Sequence, residues 1–299
     1  MLTTSGYNNI GQEATTTAII NDIKKINPKI IILANSNKPR ETRLLNKDIK
    51  KVYFFKTIIS PIILFIPKTI ILGGDEITSS EYNNYYNKFF QYFQAKFRII
   101  FTYFSTFLNK NITLYKIGIY DQQRNFPIFM LKRVLEKSKI IIARDKYSKN
   151  YLERLTKKQV LLSKDAVYSL EINGGNIKKN KVGFILKRTN NIRIEKKIIQ
   201  IINAEKQKRS IIFIIFSNHH NEYENDFKYT LNIIKKTKLK SYKIINENDY
   251  KKLFIKMSQF KKIFSMRYNG CVFSEILGID FIAIPTNKKI EVNFKEKII

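Results

Sequence analysis

A set of polar side chains follows the predicted β-strands of this sequence, where each strand gives way to a loop or a helix. Its arginines suit oxyanions, because a guanidinium binds phosphate or carboxylate in bidentate fashion. Its carboxylates could orient or deprotonate sugar hydroxyls, and its two histidines could donate or shuttle a proton. The set comprises Asn9, Glu13, Asp75, Glu76, Arg144, Asp145, Asp165, Arg188, His219, His220, Arg267 and Lys289. These side chains predict a site for a ligand that carries phosphate and carboxylate groups.

The order of residues around Arg267 is the most informative. An apolar run over 260–264 predicts a strand, Arg267 follows it, and residues 268–278 have a helical pattern. A short strand over 281–285 and a basic loop over 288–289 come next. In open α/β sheets ligands bind at the carboxyl ends of such strands, and a helix N-terminus favours an anion. We interpret Arg267 as a fixed charge at an anion site; a surface arginine that caps a strand is the alternative.

Several other chemistries lack their sequence signatures. No cluster of Cys and His has zinc-ligand spacing, and His219 and His220 are adjacent, so they would point apart on a strand. The sequence has no phosphate-binding Gly-x-x-x-x-Gly-Lys-Ser/Thr loop and no Gly-x-Ser-x-Gly nucleophile elbow. We therefore expect neither a metal nor a resident cofactor.

The composition predicts a folded, strongly basic protein. Of its 299 residues 44% are hydrophobic and 22 are Phe, which is ample for a buried core. The net charge of +31 favours acidic partners, namely nucleic acid, anionic lipid surfaces or phosphorylated substrates. The lysines are scattered among Ile, Asn, Phe and Tyr, as AT-rich coding DNA would also produce. Because the charge is dispersed, we expect no nucleic-acid partner.

The single cysteine, Cys271, cannot form an internal disulfide and favours a reducing compartment. Its apolar neighbours predict a small buried thiol. The first residues lack the regions of a signal peptide, and no apolar run predicts a transmembrane helix. We therefore expect a cytoplasmic protein, with peripheral contact to an anionic membrane surface as an extension of that prediction.

The elements that position these side chains follow a repeated strand-then-helix order, which is typical of parallel sheets. A glycine-containing loop precedes a helix predicted over 14–26. The strand expected before that loop is almost absent, because it is either very short or truncated. Residues 171–181 are interpreted partly as a linker, after which the pattern restarts. We predict an α/β fold with domains at 1–172 and 181–299 that face each other across a cleft lined by strand ends.

Seven segments occur in an order that carries a specific resemblance. They are Asn9-Ile10-Gly11-Gln12-Glu13, Gly73-Gly74-Asp75, Arg144-Asp145 with Ser148, Asp165, Arg188, Met266-Arg267-Tyr268-Asn269, and Asn287-Lys288-Lys289-Ile290. In this order they resemble the motifs of the polysaccharide pyruvyl transferase family, from about residue 5 to 294.

The resemblance implies two Rossmann-like domains of the GT-B type. It also implies transfer of pyruvate from phosphoenolpyruvate, as a ketal, onto a sugar of a cell-surface polysaccharide or its lipid-linked precursor, as in exopolysaccharide or cell-wall synthesis. Phosphoenolpyruvate is then a co-substrate bound by the second domain, and the first domain takes the acceptor. The implied catalytic residues are Glu13, Asp165 and Asn269. We add His219 and His220 from their place at a predicted strand end, because either histidine could substitute for a missing proton donor. The implied substrate-binding residues are Asn9, Gly11, Gly73, Gly74, Arg144, Asp145, Arg188, Met266, Arg267 and Lys289.

Departures from the family pattern leave the activity open. The family's histidine is Asn269 here, its aspartate before Glu13 is Gln12, and its glycine-rich loop keeps only Gly118. An asparagine can hydrogen-bond but carries no proton at neutral pH. Two alternatives therefore stand beside pyruvyl transfer: a GT-B glycosyltransferase that uses a nucleotide sugar, and a degenerate member that binds a glycan or phosphate without turnover.

Overall fold

Two α/β units make up the chain. The computed structural model describes residues 1–56, 65–74, 76–77, 88–120, 127–171, 181–218 and 225–299, with only the backbone of 88–96. The first unit contains Met1–Tyr7 and Thr15–Leu170, and the second contains Asn8–Ala14 and Glu171–Ile299. The short segment Asn8–Ala14 thus belongs to the second unit although it lies near the start of the chain.

The strands of the first unit are all parallel to their neighbours. Strand β1 pairs with β2, and a four-stranded sheet has the order β3-β4-β5-β6. Buried aliphatic side chains on β4 and its neighbours form the core of this unit. The strands are β1 (Ile32–Ser36), β2 (Val52–Lys56), β3 (Thr69–Gly73), β4 (Asn111–Ile117), β5 (Ser138–Ala143) and β6 (Leu161–Leu162).

Residues 1–3 lie between β1 and β3. Leu2 forms a parallel bridge with Leu72, and its N–H donates to the Ile71 carbonyl at 2.8 Å. On the other side, the Asn35 side chain accepts from the Thr3 N–H at 2.7 Å and donates to the Thr3 carbonyl at 3.1 Å. These residues therefore occupy the place of the strand expected before the glycine-containing loop.

The helices of the first unit cover its sheet. They are α1 (Ile10–Ile26), which begins in the second unit, α2 (Pro39–Leu45), α3 (Lys88–Ser105), α4 (Ile128–Lys137) and α5 (Lys146–Glu153). Helix α1 begins four residues before its predicted start, because the Asn9 side chain accepts from the N–H groups of Gly11 and Gln12 and caps the first turn. Helix α2 was not predicted from the sequence.

The second unit is a five-stranded parallel sheet in the order β11-β10-β7-β8-β9. Phe184 of the central strand lies 5.0 Å from the Phe264 ring and 5.9 Å from the Phe213 ring, centroid to centroid, so aromatic packing ties three strands together. The strands are β7 (Lys181–Ile185), β8 (Ser210–Ile215), β9 (Lys243–Asn246), β10 (Lys262–Ser265) and β11 (Asp280–Ala283).

Helices alternate with these strands, which confirms the predicted α/β class with parallel sheets. They are α6 (Ile192–Glu205), α7 (Asp226–Thr237), α8 (Tyr250–Met257), α9 (Tyr268–Ile276) and α10 (Lys288–Asn293). The predicted basic loop over 288–289 is wrong: Asn287 accepts from the Ile290 N–H and caps a helix there. Within the described ranges no helix is long and apolar enough to cross a membrane.

Candidate functional site

The strand order of the second unit reverses beside β7. The chain passes from β7 to β8 and β9 on one side, then returns to place β10 and β11 on the other. The carboxyl edge at such a reversal is where open α/β sheets bind ligands, because the connecting loops diverge there and leave a crevice. Lys187 and Arg188 follow β7 at this edge, and Arg267 follows β10.

Arg267 is held at this edge by Asp226, the first residue of α7. Its Nη2 donates to Asp226 Oδ1 at 2.6 Å, and its Nε donates to Asp226 Oδ2 at 3.1 Å. The Asp226 side chain is 1% exposed and that of Arg267 is 12% exposed. Asp226 Oδ2 also accepts from the Ser217 N–H at 3.0 Å. The guanidinium plane is therefore fixed relative to the ends of β8 and β10.

The N-terminal turn of α1 lies against the same edge. The Ile10 N–H donates to the Phe216 carbonyl at 3.0 Å, and Asn9 bridges Ser217 in antiparallel fashion. The Asn269 amide packs so closely on Gly11 that a β-carbon at position 11 would overlap it. Gly11 is thus required by the approach of Asn269, and the structure brings together three predicted site residues: Asn9, Gly11 and Asn269.

The buried polar atoms in these segments include Ser217 Oγ and Gln12 Oε1, which have no hydrogen-bond partner within the described part of the chain. Ser217 follows β8, and Gln12 lies in the first turn of α1. Buried polar groups are normally satisfied, so such atoms mark places where water or a ligand completes the bonding.

The remaining predicted residues of the second unit differ in exposure. Met266 is fully buried in the core, where its sulfur accepts from the Lys187 N–H at 3.5 Å. Arg188 is exposed, and Lys289 is half-buried with its Nζ 4.2 Å from the Tyr268 ring centroid. Glu13 is 6% exposed in the first turn of α1. His219 and His220 lie outside the described residues.

Burial has the largest effect on the pKa values of three groups packed around this edge. Burial raises the pKa of Asp226, and the Arg267 guanidinium acts in the opposite direction. Burial also raises the pKa of Tyr229 on α7, with Glu195 adding to the effect and the nearby Arg188 charge opposing it. The pKa of Cys271 is raised to about 12 by burial, so this thiol stays protonated, and the predicted small buried thiol is confirmed.

In the first unit Arg144 belongs to a buried network. Its Nη1 donates to Asp165 Oδ2 at 3.2 Å, and both side chains are 1% exposed. Its Nε donates to the Tyr120 hydroxyl at 3.1 Å, and that hydroxyl donates to Asp145. Asp145 in turn caps α5 through the Ser148 N–H at 2.8 Å. These contacts link the segments that follow β4, β5 and β6.

The Gly73-Gly74 turn is explained by packing against α1. Gly74 has φ +77°, and a β-carbon there would overlap Ile19 and Thr15 of that helix. A β-carbon on Gly73 would lie 3.1 Å from Ile19 Cδ1 and 3.1 Å from the Tyr115 carbonyl oxygen. Both glycines allow the helix to approach the end of β3, and their predicted role in substrate binding stays a prediction.

Two partners of the predicted site residues were missed by the sequence reasoning. Asp226 was interpreted only as the start of a helix, and Tyr120 only as part of a loop that keeps one glycine of the family pattern. An acidic residue in the first turn of the helix after β8 is the one signal that would have marked Asp226, because it places a carboxylate at the carboxyl edge of the sheet.

A comparison with models of protein families identifies the family to which this chain belongs. The model of the polysaccharide pyruvyl transferase family matches residues 9–288, which covers Asn9, Gly11, Asn269 and Arg267. The chain belongs to the polysaccharide pyruvyl transferase family. It is therefore a member of a transferase family, and the resemblance predicted from the ordered motifs is confirmed.

Solved structures support the predicted GT-B-like fold class. The UDP-GlcNAc 2-epimerase of Methanocaldococcus jannaschii has a TM-score of 0.63 at 15% identity, over 100% of this chain and 87% of that one. The MnaA protein of S. aureus, solved with UDP, has a TM-score of 0.62 at 13% identity, over 100% and 83%. A glycosyltransferase of Rickettsia africae has a TM-score of 0.57 at 12% identity, over 98% and 81%. No curated protein matches the sequence significantly.

Proposed function

We propose that this pyruvyl transferase family member binds phosphoenolpyruvate at the carboxyl edge of its second unit and transfers the pyruvyl group to a sugar as a ketal. The observation that carries the proposal is the fixed guanidinium of Arg267 beside the reversal of strand order. A pre-oriented arginine binds a carboxylate or phosphate without losing further side-chain freedom, which favours affinity.

The reaction needs one proton donor and two proton acceptors. A proton is added to the donor's methylene carbon, which becomes a methyl group and leaves an oxocarbenium-like centre at C2. One sugar hydroxyl attacks C2 and loses its proton, after which the phosphate leaves. A second hydroxyl of the same sugar then attacks C2 and loses its proton, which closes the ketal. The products are the ketal and inorganic phosphate.

We assign roles to this chain's residues by position. Arg267 holds the carboxylate or phosphate of the donor, and Arg188 and Lys289 add positive charge at the same edge. The buried carboxylate of Glu13 is our candidate for accepting a hydroxyl proton. His219 or His220 is our candidate for the acid that protonates the methylene group, because Asn269 cannot carry that proton.

The acceptor we propose is a sugar of a cell-surface polysaccharide or its lipid-linked precursor, modified in the cytoplasm. The S. aureus neighbour was solved with UDP, and another M. jannaschii epimerase structure holds UDP-GlcNAc and UDP. These ligands belong to those proteins, and they support a sugar-type acceptor here only through the shared fold.

The test is incubation of the protein with phosphoenolpyruvate and candidate glycans, with release of phosphate as the readout. We expect phosphate release only when an acceptor is present, and calorimetry should detect donor binding without it. Arg267→Ala should weaken donor binding by about 1.5–3 kcal/mol, the usual value of a charge-assisted hydrogen bond. Unchanged affinity in that variant would remove Arg267 from the proposed site.

A second candidate function is binding without turnover, and Asn269 is the observation that favours it. In that case calorimetry would still detect the donor, while no acceptor would produce phosphate. If pyruvyl transfer occurs with a histidine as the acid, His219→Ala or His220→Ala should abolish it. Turnover that survives loss of both histidines would contradict the assignment of the acid.

A further inference from the structure

We infer that the first unit carries a docking surface for an anionic lipid bilayer, formed where the end of α3 meets the start of α4. We call it the aromatic face, and it consists of Phe104, Phe107 and Phe129 around Tyr103, with Phe65 and Ile66 beside them. The inference is independent of the proposed function, because none of these residues belongs to the candidate site.

The aromatic face is exposed and contiguous. Phe104, Phe107 and Phe129 are 55%, 56% and 63% exposed. All three rings surround the Tyr103 ring, at centroid distances of 5.8, 5.3 and 5.9 Å. Single exposed apolar residues are ordinary on protein surfaces, but a cluster of exposed aromatic rings marks an interaction site.

Two further exposed apolar side chains belong to a segment that is hydrogen-bonded to the residues after α3. Phe65 is 69% exposed and Ile66 is 68% exposed. The Lys110 ammonium donates to the Phe65 carbonyl at 3.0 Å, which ties residues 65–66 to the segment that follows α3. The exposed apolar surface thus includes three parts of the chain that are distant in sequence.

The charges around the aromatic face are mostly positive. Arg133 lies 4.2 Å from the Phe107 ring centroid, and its Nε donates to Thr106 Oγ1 at 3.0 Å. Lys68 and Lys132 are exposed nearby in sequence. Residues 97–120 and 127–137 contain six Lys or Arg and one acidic residue, the exposed Glu136. This excess of positive charge suits an anionic partner.

The combination of rings and cations selects a bilayer among anionic partners. Aromatic side chains partition into the interfacial region of a membrane, where an apolar body meets a polar boundary, and lysines and arginines bind the anionic headgroups beside it. A second copy of this chain is disfavoured as the partner, because two such faces would bring like charges together. On a bilayer surface, neither the rings nor the cations have to reach into a deep groove of the partner.

Co-sedimentation of the full chain with vesicles tests this inference. We expect binding to vesicles of phosphatidylcholine mixed with phosphatidylglycerol, little binding to phosphatidylcholine alone, and weaker binding at high salt. The triple variant Phe104→Ser, Phe107→Ser, Phe129→Ser should bind at least about tenfold more weakly, since it loses the inserted apolar surface. Circular dichroism and the thermal transition establish that the variant is folded.

A matched control lies in the second unit. Ile192 and Ile255 are 70% and 57% exposed, so Ile192→Ser with Ile255→Ser removes exposed apolar surface elsewhere and should leave vesicle binding unchanged. If the triple variant does not fold, Lys68→Glu with Lys132→Glu should lower binding to the anionic vesicles instead.

Three results would overturn the inference. The first is no preference for anionic vesicles, and the second is an equal loss of vesicle binding in the control variant. The third is a triple variant that still binds vesicles but has lost self-association or nucleic-acid binding.

Discussion

Arg267 and Asp226 form a bidentate ion pair, with an Nη2–Oδ1 distance of 2.6 Å and an Nε–Oδ2 distance of 3.1 Å. The two residues are 41 positions apart in the sequence, and the aspartate side chain is almost completely buried. Asp226 also accepts from the Ser217 N–H, so one carboxylate connects the ends of β8 and β10. We interpret Asp226 as a positioning residue that orients Arg267 toward a donor anion.

The first prediction concerns this pair. Asp226→Asn keeps the shape of the side chain but removes its charge, so Arg267 loses its orientation. We expect donor affinity to fall roughly tenfold, and the free energy of unfolding to fall by about 3–5 kcal/mol, because the variant breaks a buried pair. Calorimetry with phosphoenolpyruvate and urea unfolding measure the two effects.

The control for that prediction is an exposed ion pair. Glu247 lies 2.6 Å from Lys256, and Glu247→Gln should change the free energy of unfolding by less than about 1 kcal/mol, as expected at a surface. It should leave donor affinity unchanged. Wild-type affinity in Asp226→Asn would show that Asp226 has only a structural role.

The second prediction concerns the position of the family histidine. If the protein lacks a proton donor, Asn269→His should raise phosphate release, because general acid catalysis typically contributes ~10²–10⁴-fold. The acid form is required, so the added activity should be greatest below the histidine's ordinary pKa of about 6.5 and lost as the pH rises through it. If His219 or His220 already supplies the proton, the substitution should matter little or interfere. A pH profile of phosphate release separates these cases.

The third prediction concerns Gly11. Replacing a helical glycine by alanine usually stabilises a helix by up to about 1 kcal/mol, but here the new methyl group overlaps the Asn269 amide. We expect Gly11→Ala to lower the free energy of unfolding by about 1–3 kcal/mol, as overpacking does. Adding Asn269→Ala should recover part of that loss. Urea unfolding of the two single variants and the double variant measures the coupling, and additive effects would contradict the contact.

The fourth prediction concerns the buried network of the first unit. Tyr120→Phe removes the hydroxyl that joins Arg144 to Asp145. We expect the free energy of unfolding to fall by about 1–3 kcal/mol, because buried charged groups lose a partner. Tyr147→Phe is the matched control: Tyr147 is 38% exposed, and its hydroxyl donates to the Tyr120 carbonyl at 3.2 Å, so the loss of stability should be smaller. Equal losses would mean that the Tyr120 hydroxyl adds no more stability than a partly exposed hydrogen bond.

The sequence by itself determined the α/β class, most of the elements and the family. Apolar runs followed by helical patterns are local signals, and they identified β10 and β11, predicted over 260–264 and 281–285, within two residues at each end. The motifs around Asn9 and Arg267 are equally local, because a helix cap and a strand-to-helix junction each depend on a few neighbouring residues. Predictions of this kind need no knowledge of which strands are adjacent.

The tertiary structure alone decided which partner each charge has. The sequence offered Arg144, Asp145 and Asp165 as site residues, and the structure pairs them with each other and with Tyr120. It likewise pairs Arg267 with the carboxylate of Asp226, and none of the motifs contains Asp226. These choices follow from the order of strands in the sheets, since strand order determines which carboxyl ends are neighbours. That order results from packing over the whole chain, so no local pattern records it.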